Sequence, residues 1–304
     1  MCEANQVVFD TKCPADFQSA DYVLQYGQID MILDPVAGES VVETQKRVEA
    51  TVAQISSFLL AGASKSLTAN DVDPSQVTEA DKDLPFNYTR SRQIDRPQSQ
   101  DIISQVFDSF IELVGDGRVG RDACIRGGLA SFCGRSCVVV GSFKGHTPQT
   151  MQDSNYGMAS PHGYRTALRL MRLAERFNIP VVTLVDTVGA WPTFECERDG
   201  QSEAIATNLT AMAGLTVPIV TLLVGEGGSG GALGIGMGNV VGMLSGGYFG
   251  VISPEGAASI LGRYENDVQK AEQFPLDCQA LATAQCIYAY QVYSLLTTMT
   301  IIVY

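Results

Sequence analysis

A chain of 304 residues with 20 Lys and Arg against 33 Asp and Glu carries a formal charge of -13 and is long enough to bury a substantial core. That negative surplus excludes an extended electrostatic grip on nucleic-acid phosphates or an anionic membrane surface. Eight cysteines are present without a C-x-x-C pair, and His146 and His162 are the only imidazoles, which excludes the common structural zinc patterns and sets the expectation of no metal in this chain.

The opening MCEANQVVFD has no basic region, apolar run or cleavage site, so a cytoplasmic or plastid-stroma setting is expected and secretion is not. Residues 13–60 read as compact structure. Gly27 is placed as a helix stop before a short strand QIDMIL, and VVETQKRVEATVAQISSFLL reads as a helix. The stretch from Gly62 to Pro85 is polar, acidic and aperiodic, which marks a linker.

From about Arg96 the pattern becomes regular. DIISQVFDSFIELV is predicted as a helix, followed by strands DACIRGGLASF and SCVVVGSF around a Gly-containing turn. Cys133 and Cys137 sit on that hairpin, where reduced thiols are expected rather than a bridge. Strands PVVTLVDT, VPIVTLLVG, VVGML and YFGVIS then alternate with helical stretches near 162–177, 200–215 and 229–238. Such alternation is the mark of an α/β fold.

On the helix GYRTALRLMRLAERF, positions 164, 167, 168, 171 and 174 are apolar on one face, and Arg165, Arg169, Arg172 and Arg176 form a stripe away from it. The stripe reads as a solvated face or, more sharply, as a docking surface for ligand phosphates or an acidic partner. The final 21 residues carry no charge and approach membrane-spanning length. Gln285, Gln291 and Ser294 make them too polar for a span, so a buried or abnormal terminus is expected and a membrane anchor is not.

The densest chemical signal is VPIVTLLVGEGGSGGALGIGMG, an apolar strand that ends in glycines and enters a helix of small residues. A helix start leaves backbone N–H groups without intrahelical partners at the positive end of the dipole, where they hold a phosphate or a developing oxyanion. Gly230 and Gly231 permit close approach to that backbone. The segment also satisfies G-x-S-x-G with Ser229 as nucleophile, but both histidines precede Ser229, against the order of such hydrolases. No Lys follows the glycines, which argues against a P-loop. Glycines that only permit close helix packing are the remaining alternative. A second loop, LVDTVGAWPTFECERDGQSEAI, offers Asp186, Glu195 and Glu197 as acids or bases, or as capping and solvent-facing residues.

These segments together resemble a known family. RP at 96–97, FIELVGDG, GGLA, YGM, GYRTALRLMRLAERFNIP, DTVGAWP, RDGQSEAIA, GEGGSGGALGIGMG and VISPEGAASIL, from Arg96 to Leu261, are similar to the alpha subunit of acetyl-CoA carboxylase carboxyltransferases. CPADFQSADYVLQYGQIDMIL, residues 13–33, separately resembles the C-terminal end of the beta subunit. The implied organisation is a beta-like segment at 1–60, a linker at 61–95, a carboxyltransferase domain at 96–262 and a divergent tail at 263–304.

The resemblance implies a crotonase-type ββα superhelix with a short N-terminal helical and strand appendage. It also implies transfer of CO2 from carboxybiotin on biotin carboxyl carrier protein to acetyl-CoA, giving malonyl-CoA for fatty acid synthesis. Implied partners are a beta-type subunit, the carrier protein and biotin carboxylase, in an oligomer. By carry-over, Gly230, Gly231 and Ala232 hold the biotin-side oxyanion, and Gly189 and Ala190 shape the pocket wall. Lys144, Gly228, Ser229, Arg165 and Arg169 are assigned to substrate binding. The sequence departs from the family at Val188, where a proline is usual, at Thr193, where a glycine is usual, and in GSFKGHTP, which keeps Lys144 but loses a downstream Arg and Asp. These departures, with most of a beta half absent, motivate the alternative of a non-catalytic assembly or regulatory subunit.

Overall fold

A hairpin begins the sheet. Cys133 and Gly134 both take positive φ, 50° and 73°, the paired left-handed geometry that matches strand twist in a two-residue turn. The computed structural model describes residues 20–33, 40–60, 91–244, 247–250 and 252–253. The heart of the expected linker, the first nineteen residues, the end of VISPEGAASIL and the uncharged tail lie outside the described residues.

The turn joins β2 (Ile125–Phe132) to β3 (Arg135–Ser142), and β1 (Ser109–Glu112) pairs with β2; these three strands are antiparallel. From β3 onward the pairing is parallel through β4 (Val181–Thr187), β5 (Ile219–Gly228) and β6 (Val240–Met243). The short β7 (Tyr248–Gly250) pairs with the end of β5 and completes a seven-stranded sheet. Parallel strands need crossover connections, and the helices supply them.

Alternation along the strands divides the core between the two faces of the sheet. On β4, Val181 and Val185 join the larger cluster, whereas Val182 and Leu184 join the smaller one. The larger cluster is capped by α5 (Pro161–Phe177), α7 (Gln201–Gly214) and α8 (Ser229–Gly236). The smaller cluster takes Ile103 and Phe107 from α3 (Ser99–Val106) and the residue after it.

Local chemistry explains the helix ends. The helix α1 (Ala20–Gln25) stops where Gly27 adopts φ 64°, its N–H bonded to the Leu24 carbonyl. Helix α2 (Val41–Leu60) matches the sequence expectation and starts with a capping box between Ser40 and Glu43. Helix α5 opens on Pro161 and closes on left-handed Asn178.

Three expectations need correction. Residues 28–30 form bends and 31–33 take no regular structure, so no strand is present there. The helix expected over 101–114 ends at Val106 and the chain becomes β1, because residues 109–112 pair with 128–131 of β2. On α5, Leu170 is fully buried while Leu168 is only partly so, which shifts the packed stripe from the one counted in the sequence.

Candidate active site

The carboxyl end of β4 runs into the loop 188–193 and that of β5 runs directly into α8, and the loop meets the helix start. A Cβ on Gly231 would fall 2.3 Å from the Gly189 carbonyl carbon and 2.4 Å from the Ala190 nitrogen. A Cβ on Gly228 would fall 2.1 Å from the Val188 oxygen. Both glycines are therefore required for backbone to lie on backbone. Gly189 and Gly230 differ, since no other atom stands within 4 Å of a Cβ placed on either. The junction is thus closed on one side and open on the other.

The helix start at this junction leaves backbone donors without partners in the helix. Gly228 is the N-cap of α8, so the N–H groups of Ser229, Gly230 and Gly231 lie in the first turn without intrahelical acceptors. Ala232 is the first residue whose N–H the helix itself engages, and it is fully buried. Ser229 is exposed with φ 54°, the geometry of a sharp strand-to-helix turn.

Neighbouring elements clamp the junction. The Tyr164 hydroxyl donates to the Gly231 carbonyl at 3.1 Å, and Asn208 Nδ2 donates at 2.9 Å to both the Tyr164 and Gly234 carbonyls. Ala190 bridges to Ala159, and the Trp191 N–H donates to the Ala159 carbonyl at 3.0 Å. Thr187 Oγ1 accepts from the Gly189 N–H at 3.1 Å. Thr193 begins the short α6 (Phe194–Arg198), its hydroxyl accepting from the Cys196 N–H at 3.3 Å. Glu195 and Glu197 lie exposed on that helix.

Below the junction lies a buried ionic cluster that the sequence did not reveal. Lys144 Nζ donates to Glu226 Oε2 at 2.6 Å and lies 4.0 Å from Asp186 Oδ1. Arg96 pairs with Asp186, and Arg92 with Glu226 at 2.6 Å. Asp186 is fully buried; desolvation raises its pKa against the opposing pull of Lys144 and Arg96. It neither caps a helix nor meets water. Lys144 is spent on this cluster.

The arginine stripe of α5 is divided. Arg165 donates to the Asp199 carbonyl at 2.6 Å, and Arg169 donates to the Gly115 carbonyl at 3.0 Å and to Asp30 at 2.8 Å. Arg172 and Arg176 face solvent. The first two thus hold neighbouring backbone in place.

A cleft of about 810 Å³ opens beside the end of β3, lined by Arg121, Arg126, Phe143, His146 and Thr150 among others. A second, of about 530 Å³, lies between α3 and the apolar face of β4 and β5. Neither is lined by Gly189 or Gly230. Among the described residues no three metal-ligating side chains cluster, and no helix is long and apolar enough to cross a membrane. Cys124, Cys133, Cys137 and Cys196 are free thiols.

Residues 84–289 match the family described as acetyl co-enzyme A carboxylase carboxyltransferase-like. The chain is 52% identical over 178 residues to the acetyl-coenzyme A carboxylase carboxyl transferase subunit alpha of Vibrio campbellii, covering 59% of this chain and 55% of that relative. A Francisella philomiragia subunit of the same name is 52% identical over 171 residues, 56% of this chain and 54% of the relative. The chain therefore spans about half the length of these relatives. Among solved structures, a transcarboxylase 12S hexamer with methylmalonyl-coenzyme A bound superposes with a TM-score of 0.71 at 19% identity, over 99% of this chain and 57% of that one. A single-chain long-chain acyl-CoA carboxylase gives a TM-score of 0.61 at 16% identity, over 91% and 26%. At such identities the two structures speak to the fold.

Proposed function

The chain belongs to the acetyl-CoA carboxylase carboxyltransferase-like family and has its crotonase-type α/β fold, and from that premise we propose that it is the alpha-type component of a carboxyltransferase acting on acetyl-CoA. The observation that carries this reading is the open side of the junction. Gly189 and Gly230 offer unobstructed backbone beside the first-turn amides of α8, which is what an incoming carbonyl that gains negative charge requires.

Carboxybiotin, delivered on a carrier protein, supplies the carboxyl group. The chain's own residues do the rest by placement. First-turn amides of Gly230 and Gly231 donate to the oxygen on which charge develops, and they need no reorganisation because Tyr164, Asn208 and the Gly189–Ala190 peptide already hold the helix start. Ala232 supports that geometry from within the helix. Gly189 and Ala190 form the facing wall, and Gly228 and Ser229 turn the chain between strand and helix. A beta-type subunit completes the site and contributes the acetyl-CoA side, so activity needs the assembled complex.

The test is an assay of malonyl-CoA-dependent carboxylation of biotin by this chain mixed with a beta-type subunit. Turnover in the mixture and none in either part alone is expected. A beta-type subunit that works with another alpha subunit but not with this chain overturns the reading. That outcome favours a non-catalytic assembly or regulatory subunit, the second reading, which the departures at Val188 and Thr193 in the pocket loop motivate.

A further inference from the structure

Three parallel strands end side by side, and each delivers one ionic side chain into the interior: Lys144 just past β3, Asp186 in β4 and Glu226 in β5. Their exposures are 7%, 0% and 2%. Arg96 and Arg92, from the segment leading into α3, close the two ends of the chain of charges by pairing with Asp186 and Glu226. The Glu226 N–H also donates to Asp186 Oδ1 at 3.2 Å, which ties the two strands together at this level.

The backbone is shaped around these side chains. A Cβ on Gly225 would fall 2.5 Å from Arg96 Cζ and 2.5 Å from Asp186 Oδ1. A Cβ on Gly157 would fall 2.8 Å from the Asp186 carbonyl oxygen and 3.4 Å from Lys144 Cγ. Buried ion pairs contribute little net stability, because desolvation offsets their attraction, and apolar replacements of similar volume are often as stable. The cluster therefore calls for a role other than holding the fold. Its position supplies one, since Asp186 immediately precedes the loop 187–190 and Glu226 lies two residues before Gly228.

We propose that the chain Arg96–Asp186–Lys144–Glu226–Arg92 is a positioning device for carboxyl transfer. It fixes the height of the β4 and β5 ends relative to one another, and so seats the Gly189–Ala190 peptide on Gly231 with the open side of the junction correctly spaced. Lys144 is its centre, because its ammonium stands between the two carboxylates. The proposal rests on the carboxyl-transfer reading and assigns Lys144 and Glu226 an indirect part, without contact to substrate. Misplacing a reacting group by about 1 Å costs on the order of 100-fold in rate, which sets the size of the effect.

The experiment compares the full chain, assembled with a beta-type subunit, with Lys144→Met and with the double variant Lys144→Met/Glu226→Leu, which restores an apolar match at the buried pair. Expected are a kcat about 10- to 100-fold lower in both variants, KM for malonyl-CoA unchanged, and faster backbone hydrogen exchange at 187–191. The double variant is expected to regain the thermal stability that the single one loses while its kcat stays low. A double variant with wild-type kcat, or wild-type exchange at 187–191, overturns the proposal. The exchange measurement needs no turnover, so a wild-type chain inactive with a competent partner rejects the carboxyl-transfer reading while exchange still decides whether the ions position the loop.

Discussion

Gly231 at the start of α8 and Gly189 in the loop after β4 touch backbone to backbone, with the Gly231 Cβ position only 2.3 Å from the Gly189 carbonyl carbon. One glycine along, Gly230 faces open space. Adjacent residues of the same type thus stand in opposite surroundings, one packed against backbone and the other clear of it.

That difference is testable with two alanines. Gly231→Ala forces the loop from the helix and is expected to cost about 1–3 kcal/mol, with loss of carboxyl transfer. Gly230→Ala meets no atom and is expected to leave stability unchanged or raise it by up to about 1 kcal/mol, yet to lower activity by blocking approach to the amides. Urea unfolding beside the biotin carboxylation assay separates the two. Full activity in Gly230→Ala would remove the open side from the mechanism.

Gly225→Ala drives a methyl into the Arg96–Asp186 pair. Parting a buried pair costs on the order of 3 kcal/mol, so a clear fall in the thermal midpoint is expected. An unchanged midpoint would mean that the Arg96 side chain yields without loss.

His146 has both ring nitrogens against acceptors, the Ile94 carbonyl and the Asp101 carboxylate, each at 2.7 Å. The Ile94 carbonyl foremost, and then Asp101, raise its pKa above the ordinary 6.5, with partial burial opposing. A raised folded-state pKa stabilises fully below the unfolded value and is lost as pH climbs through the folded one. NMR titration is expected to place the His146 midpoint above 6.5 and to move it down in Asp101→Asn. The thermal midpoint is expected to fall more between about pH 6 and 8 in the wild type than in His146→Gln.

The segment 20–33 is attached by close contacts. A Cβ on Gly115, at φ 77°, would fall 2.2 Å from the Gly27 Cα, and the Gly117 N–H donates to the Gly27 carbonyl at 2.9 Å. Gly115→Ala is expected to release this segment to proteases while leaving β4 and β5 protected. Arg169→Ala, which removes the pair with Asp30 and bonds to the Leu113, Val114 and Gly115 carbonyls, is expected to do the same at a cost of about 1.5–3 kcal/mol. Peptide-resolved hydrogen exchange over residues 20–33 reads both variants. Slow exchange there in either would show that other contacts hold the segment.

Much of the fold was legible because it is local. The helical pattern of VVETQKRVEATVAQISSFLL, the glycine at position 27, the Gly-containing turn after β2 and the apolar runs of β3, β4 and β5 each carry their structure within a few residues. The helix expected over 101–114 failed for the opposite reason. Its second half is an edge strand whose partner lies in β2, and tertiary pairing overrode the helical spacing of its apolar residues.

For the candidate site, sequence alone determined the glycine-rich turn and the family resemblance, since both are written in contiguous residues. Only the tertiary structure decided that Gly231 is packed while Gly230 is open, that Arg165 and Arg169 hold backbone, and that Lys144 sits between two carboxylates. Those outcomes depend on distance in space between residues far apart in the chain. Asp186 and Glu226, 40 positions apart, meet only because the parallel strands β4 and β5 bring their carboxyl ends to one end of the sheet, and no local pattern records that meeting.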